Sequence, residues 1–397
     1  MDALISVSAT TAPVHAAPRR APMARKGRWL ALLVALGSCL ACSQATTPAF
    51  DTASNLRDLY AEKLPAEKAE RVAVPFALEP DLLAELEATV KPAPRETYRL
   101  EQVNDFIFRK LDLEYSLRPT RDASGTWRSG EGNCLSFVNL FVAVARQNRL
   151  NPFYVEVTDY QRWRHSEGMV LSQGHIVAGM YVKGTLKTFD FLPYEAKSYK
   201  DFKPIDDLTA SAHYYNNLGA EALIEGDLDE SKRHLDTAIT LVPTFEKALN
   251  NLGVVLARTG DLEGAQRAYQ DGLAVDSEYV PILSNLARLY QQQGELEKAS
   301  AILDQIEDSQ TTNPFFFIYR GELALTRGDT AGAIDYMRQA LRLDSELPEV
   351  HVALAKAFLA VGELDRARHH VERAVRLDAT HPEARAMAAM VKQRADA

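Results

Sequence analysis

Cysteine is nearly absent from this chain: three residues in 397, and two of them, Cys39 and Cys42, sit three positions apart near the start. That count excludes a disulfide framework and a four-thiolate zinc site. Cys134 stands alone. Long apolar runs are missing as well. The stretch from Trp29 to Leu36 holds eight residues, against the roughly 20 that cross a bilayer, which argues against a permanent transmembrane helix. Positive charge is in deficit, with a net charge of −9. The first 38 residues contribute +4 (Arg19, Arg20, Arg25, Lys26 and Arg28 against Asp2), so the chain without them carries −13. Such a surface excludes nucleic acid as an expected partner. Compositional extremes are absent too. The 46% apolar and 25% charged residues rule out wholesale disorder, a collagen-like chain and a multi-spanning membrane protein. What remains is enough chain for two or three packed domains of about 150 residues each.

From Met23 a basic stretch precedes the apolar run, and small residues and cysteine follow it, which is the anatomy of an export signal. Leu36-Gly37-Ser38-Cys39 resembles the bacterial lipobox, in which cleavage frees an N-terminal cysteine that takes a lipid. Cys39 is the expected lipidation site. Cys42, in the poorer frame Cys39-Leu40-Ala41-Cys42, is the alternative. Residues 1–42 are therefore read as signal peptide and lipobox. Because a complete signal begins at Met23, residues 1–22 are expected to lie upstream of the true start. Neither Leu40 nor Ser43 is the aspartate that resembles an inner-membrane retention signal. The expectation is an exported lipoprotein, held by its lipid in the outer membrane and facing the periplasm.

The C-terminal half repeats itself. Asn216-Asn217-Leu218-Gly219 recurs as Asn250-Asn251-Leu252-Gly253 and, weakened, as Ser284-Asn285-Leu286-Ala287, a step of 34 residues. Gly226-Asp227, Gly260-Asp261, Gly294-Glu295, Gly328-Asp329 and Gly362-Glu363 keep that step, as do Ala265, Ala299, Ala333 and Ala367, with Ser231 in the first copy. Each copy reads as helix, tight turn, helix: the glycine ends one helix and the acid opens the next. Leu235, Tyr269, Leu303, Met337 and His370 are read as one recurring position of the second helix, core-type except for His370, a terminal-repeat exception. The period and the small-residue positions over 212–381 resemble the tetratricopeptide repeat (TPR). The tryptophan near the start of each first helix is missing, and the late proline survives only as Pro243. The resemblance implies an all-α solenoid of five repeats whose concave face binds a protein or peptide partner. Asn216, Asn250, Arg258, Arg288, Gln291 and Glu322 are the expected groove residues. Residues 382–397 are expected to form a polar capping helix.

The middle of the chain carries the candidate chemistry. Residues 43–98, punctuated by Pro75, Pro80, Pro92 and Pro94, read as a linker with packing helices near 56–66 and 81–89. Val103, Phe106, Ile107, Leu111 and Leu113 mark a helix, and a loop rich in Arg, Ser and Gly is expected over 118–132. Phe137, Leu140, Phe141, Val144 and Ala145 mark an amphipathic helix that places Cys134 in its first turn, where the backbone dipoles favour thiolate. Strands are expected over 153–158, 175–182 and 185–192. A thiolate nucleophile needs a base and a group that orients the base. If Lys183-Gly184 is a two-residue turn, counting outward makes His175 and Asp190 diagonal neighbours on one face, within side-chain reach. His165 is an alternative base, without a carboxylate at strand spacing. Each of the three residues also has an inert reading: a buried small thiol, a satisfied strand histidine, a capping acid.

Arg128-Ser129-Gly130-Glu131-Gly132-Asn133-Cys134-Leu135, the following helix, then His175 and Asp190 on successive strands resemble the transglutaminase-like superfamily over residues 99–195. The resemblance implies an α+β (papain-like) domain, assigned to 99–205, ahead of the TPR solenoid. It implies Cys134 as nucleophile, His175 as general base and then acid, and Asp190 as the residue orienting the imidazole. Asn133 before the cysteine and Gly174 before the histidine depart from common members. No metal and no organic cofactor is implied. The expected activity is peptide or amide hydrolysis or amine transfer. The competing expectation is a non-enzymatic scaffold whose transglutaminase-like domain is inert.

Overall fold

A computed structural model describes residues 53–166, 169–191, 201–307 and 313–395. The expected signal and lipobox, with Cys39 and Cys42, lie outside the described residues.

The segment read as a linker with packing helices holds helices near both expected places, and much of it is core. Helices α1 (Ala53–Lys63), α2 (Ala66–Arg71) and α3 (Pro80–Thr89) carry Leu56, Tyr60, Leu82 and Leu86 into the main hydrophobic cluster, each at most 2% exposed. Pro80 opens α3 at its first position, where the missing N–H has no intrahelical partner to lose. Helix α4 (Glu96–Asp105) runs into a π-helical turn, Phe106–Lys110, that buries Phe106 and Ile107. The stretch expected to be a loop over 118–132 contains a helix, α5 (Ala123–Ser129). Asp122 caps it by accepting the Gly125 amide at 2.6 Å, and Gly130 (φ 69°) ends it. Both end signals stand in the sequence, but seven residues are too few for an apolar period to show between them.

Two short strands, β1 (Glu114–Tyr115) and β2 (Glu131–Gly132), pair in parallel and hold the chain just ahead of helix α6 (Cys134–Gln147). Helix α6, expected to be amphipathic, is enclosed instead: every residue from Cys134 to Ala145 is buried, the polar Ser136 and Asn139 included. It packs on an antiparallel sheet in the order β5-β4-β3-β6, formed by β3 (Phe153–Ser166), β4 (Met169–Val182), β5 (Thr185–Phe189) and β6 (Phe202–Ile205). Phe141 stacks on Phe189 with centroids 4.4 Å apart, and Tyr154 donates its hydroxyl to Asn139 Oδ1 at 2.9 Å. The first two strands are longer than expected, because the polar residues beyond Thr158 break the alternation. Strand β6 was not anticipated. At the hairpin, Lys183 and Gly184 both have positive φ (50° and 78°), as a primed two-residue turn requires, and Val182 faces Thr185.

The C-terminal helices form five pairs: α7 (Asp207–Glu225) with α8 (Leu228–Leu241), α9 (Glu246–Arg258) with α10 (Leu262–Val275), α11 (Val280–Gln292) with α12 (Leu296–Glu307), α13 (Pro314–Thr326) with α14 (Thr330–Leu343), and α15 (Pro348–Ala360) with α16 (Leu364–Leu377). Each pair turns at a glycine with φ between 76° and 86°. In three of the turns the following Asp, at 227, 261 and 329, caps the second helix from its side chain. The recurring small residue of the first helix faces the recurring large one of the second. A Cβ on Gly253 would stand 2.4 Å from Tyr269, and one on Gly321 would stand 2.8 Å from Met337. The fifth member of the Leu235, Tyr269, Leu303, Met337 series is Val371, buried at 2% exposure, since it keeps the 34-residue step. His370 lies one residue off register and stacks on Phe358. Helix α17 (Pro382–Ala395) is less polar than expected: Ala384, Met387 and Val391 are buried against Val352, Ala355, Val371 and Ala374. Among the described residues no helix is long and apolar enough to cross a membrane.

No free linker separates the two parts. Strand β6 ends at Ile205 and α7 begins at Asp207. Arg146 of α6 makes two hydrogen bonds to the buried Asp207, at 2.6 and 2.8 Å. Lys247 of α9 pairs with Glu156 of β3, and Tyr215 of α7 donates to the Ala73 carbonyl at 2.9 Å. Strand β4, which carries His175, also packs against α9 and α11.

Candidate active site

Cys134 is the first residue of α6 because Asn133 caps that helix: its Oδ1 accepts the Ser136 amide at 3.0 Å. Gly132 must be glycine here, since a Cβ would come within 2.6 Å of Ser136 Cβ. The thiol is free and buried, 7% exposed. It stands at the positive end of the helix.

His175 pairs with Val157 across the sheet, next to the point where the β3–β4 ladder is interrupted between Val157 and Arg162. Such irregularities re-aim side chains. The His175 side chain is 1% exposed, and its Nε2 lies 2.9 Å from Asp190 Oδ1, while the ring also hydrogen-bonds Cys134. Burial opposes protonation of the imidazole, but the hydrogen bonds to Asp190 and Cys134 and the negative charge of both partners outweigh it and raise His175 to about 9. The structure thus joins Cys134, His175 and Asp190 in one chain of contacts. The side chain of His165, the alternative base, lies outside the described residues.

A second set of groups escaped the sequence reading. Asn133 Nδ2 donates to Thr120 Oγ1 at 2.6 Å, and that hydroxyl donates to Glu221 of α7, also at 2.6 Å. The cap role of Asn133 was readable, as an asparagine directly before a helix and three residues ahead of Ser136. Nothing in the sequence linked it to a glutamate about ninety positions away. Among the described residues no group of three or more His, Cys, Asp or Glu side chains could hold a metal ion.

The expected groove residues divide. Asn216 and Asn250 are buried and do not line a groove: Asn251 donates to Asn216 and Asn285 donates to Asn250, each at 2.9 Å, in a ladder that crosses successive repeats. Their recurrence is explained by packing between repeats, where a buried amide needs a partner. Arg258 and Arg288 line one cavity of about 200 Å³ with Tyr269, Asn285 and Gln292. Arg288 lies over the Tyr319 ring and Arg258 donates to the Leu223 carbonyl. Gln291 is half-buried, and Glu322 pairs with Lys356 at 3.4 Å.

Residues 216–280, 256–314 and 324–391 match family models described as tetratricopeptide repeat. Solved structures similar to this chain include a thermophilic TPR protein of Thermus thermophilus, at 22% identity and a TM-score of 0.43 over 46% of this chain and 99% of that one. PilF of Pseudomonas aeruginosa is 24% identical, with a TM-score of 0.38 over 46% of this chain and 89% of its own. A tetratricopeptide repeat protein from Parabacteroides merdae is 20% identical, with a TM-score of 0.36 over 45% and 72% respectively. None of the curated proteins compared with the chain matches it. The C-terminal region is a TPR solenoid, and repeats of this kind are protein-interaction scaffolds.

Proposed function

We propose that the region ahead of the repeats is a transglutaminase-like cysteine acyl-transfer domain, and that the TPR array recruits the protein or peptide on which it acts. One observation carries the reading: a thiol at the start of a buried helix hydrogen-bonds a histidine that is itself 2.9 Å from a carboxylate, in the chain order Cys134, His175, Asp190. Cys134 becomes the nucleophile as its proton passes to His175. Cys134 Sγ attacks an amide carbonyl carbon, and the oxyanion that forms is stabilised by the Cys134 N–H at the helix start. His175 then gives its proton to the nitrogen as the C–N bond breaks, leaving a thioester and a free amine. Water or a second amine attacks the thioester while His175 takes up a proton. The C–S bond breaks and the thiolate returns.

Export and anchoring through a lipid on Cys39 belong to the same proposal, supported by the signal anatomy and the lipobox frame. Replacing Cys39 should release the protein from the membrane fraction. Retention of Cys39→Ala alongside loss of Cys42→Ala would move the anchor to Cys42.

The deciding experiment follows alkylation of Cys134 against pH, read on the Cys134 peptide by mass spectrometry. Wild type should react with an apparent pKa well below the usual 8.5 or so, and His175→Ala should raise it. The near-complete burial of Cys134 favours a second reading, a scaffold whose thiol is inert. An unreactive thiol, or one indifferent to His175, together with a partner that binds Cys134→Ala as well as wild type, would decide for it.

A further inference from the structure

Resting on the acyl-transfer reading, we infer that Glu221, on the first helix of the first repeat, is a positioning residue for the Cys134 nucleophile, acting through Thr120 and Asn133. Glu221 Oε1 accepts the Thr120 amide at 2.8 Å and the Thr120 hydroxyl at 2.6 Å, and Oε2 accepts the same amide at 3.0 Å. Thr120 Oγ1 accepts from Asn133 Nδ2 at 2.6 Å. Asn133 Oδ1 accepts both the amide and the hydroxyl of Ser136, each at 3.0 Å.

The direction of every bond in this relay follows from the carboxylate. An ionised carboxylate only accepts, so the Thr120 hydroxyl proton is committed to Glu221. The Thr120 oxygen is then free to receive the Asn133 NH2, and the Asn133 carbonyl oxygen is left facing the first turn of α6. Turned the other way, Asn133 would set donor against donor at Ser136 and leave the helix uncapped. Thr120 and Asn133 are each 4% exposed and Ser136 is fully buried. Water therefore has little room to replace a missing member. Burial raises Glu221 above the ordinary carboxylate value, while its bonds to Thr120 and the nearby Arg118 pull it back. With the third amide of the helix held by the cap, the first turn stays formed. Cys134 and Leu135 then keep the N–H groups that no intrahelical carbonyl takes, the groups on which thiolate and oxyanion stabilisation depend. A residue of the recruiting array thus sets the geometry of the site it feeds.

The test uses the full chain and two readouts: peptide-resolved amide exchange over residues 134–138, and the pH dependence of Cys134 alkylation. Loss of a side-chain cap should speed first-turn exchange about fivefold. That acceleration, with a raised apparent thiol pKa, is expected for Glu221→Ala. Glu221→Gln keeps an oxygen for both Thr120 donors and should restore most of the wild-type behaviour. Thr120→Val, which leaves the array untouched, should reproduce the Glu221→Ala effect, and the double variant should be no worse than either single one. Unchanged exchange in Glu221→Ala and Thr120→Val, or strictly additive effects, would overturn the relay while leaving the acyl-transfer reading standing. A wild-type thiol indifferent to His175 would instead defeat the acyl-transfer reading, and with it any positioning of a nucleophile, even with the exchange pattern as expected.

Discussion

The two parts of this chain bury polar groups in opposite ways. In the site-bearing region Thr120, Asn133, Ser136, Asn139 and His175 gather around one helix. In the array the buried polar residues recur along the stack instead: Ser231 bonds the Gly219 carbonyl at 2.7 Å, and the asparagines at 216, 250, 251 and 285 form a ladder. A ladder rests on nearest neighbours, so losing a rung is a local event. A convergent cluster has one copy of each member, and losing any of them alters the whole site. The same contrast extends to charge. His175 is raised to about 9 between two acidic partners, whereas burial and then Lys247 lower His213 on α7 to about 3, against the pull of Glu156.

The largest expected effect breaks the join between the two regions. Asp207→Ala strands Arg146 as a buried charge without its carboxylate, and such losses cost about 3–5 kcal/mol. Denaturant unfolding should show the drop and separate into two transitions. A single transition at the wild-type midpoint would mean that the shared apolar core alone unites the two regions. The opposite histidine shifts come next. The contribution of His175 is complete below pH 6.5 and is lost as pH rises toward 9. His213 has no such contribution to lose above pH 6.5 but resists protonation, so stability falls as pH drops from 6.5 toward 3. Each limb should amount to several kcal/mol, at roughly 1.4 kcal/mol per pH unit of separation. Unfolding midpoints between about pH 4 and pH 10 should flatten on the acid side in His213→Phe and on the alkaline side in His175→Phe. Identical profiles for the two variants would dissolve the contrast.

Within the array, Gly253→Ala pushes a methyl into Tyr269 and should cost about 1–3 kcal/mol by overpacking. Gly226→Ala meets nothing within 4 Å, but its φ of 85° is left-handed, and about 1 kcal/mol is expected from backbone strain alone. Thermal or chemical unfolding of the pair ranks the two costs. The reverse order would mean that turn geometry, not the spacing of the paired helices, limits the repeat.

Legibility followed the same division. The repeats could be read because every signal recurs: Gly226 and its successors punctuate five turns, and errors show up against the period, as His370 does beside Val371. The hairpin could be counted from Lys183-Gly184 even though lysine is an unusual residue for a left-handed position, and the observed register agrees. The two asparagines placed in the groove were misread, because recurrence marks what packs as readily as what binds. Helix α5 was missed for want of length, and strand β6 for want of an alternating pattern in its four residues. Glu221 could not have been found at all: its partner Thr120 lies 101 positions away, and neither residue is unusual where it stands.

Strand β4 and helix α1 lean on the first three helix pairs, through α7, α8, α9 and α11, whereas α13 to α17 pack chiefly on one another and on the preceding pair. Among the described residues the stack is therefore held at one end, where its first pairs meet the region that carries Cys134. Pairs could be added to or lost from the distal end over evolutionary time without disturbing the attached end. If the array recruits a partner as proposed, the length of partner it can hold is then adjustable independently of its attached end.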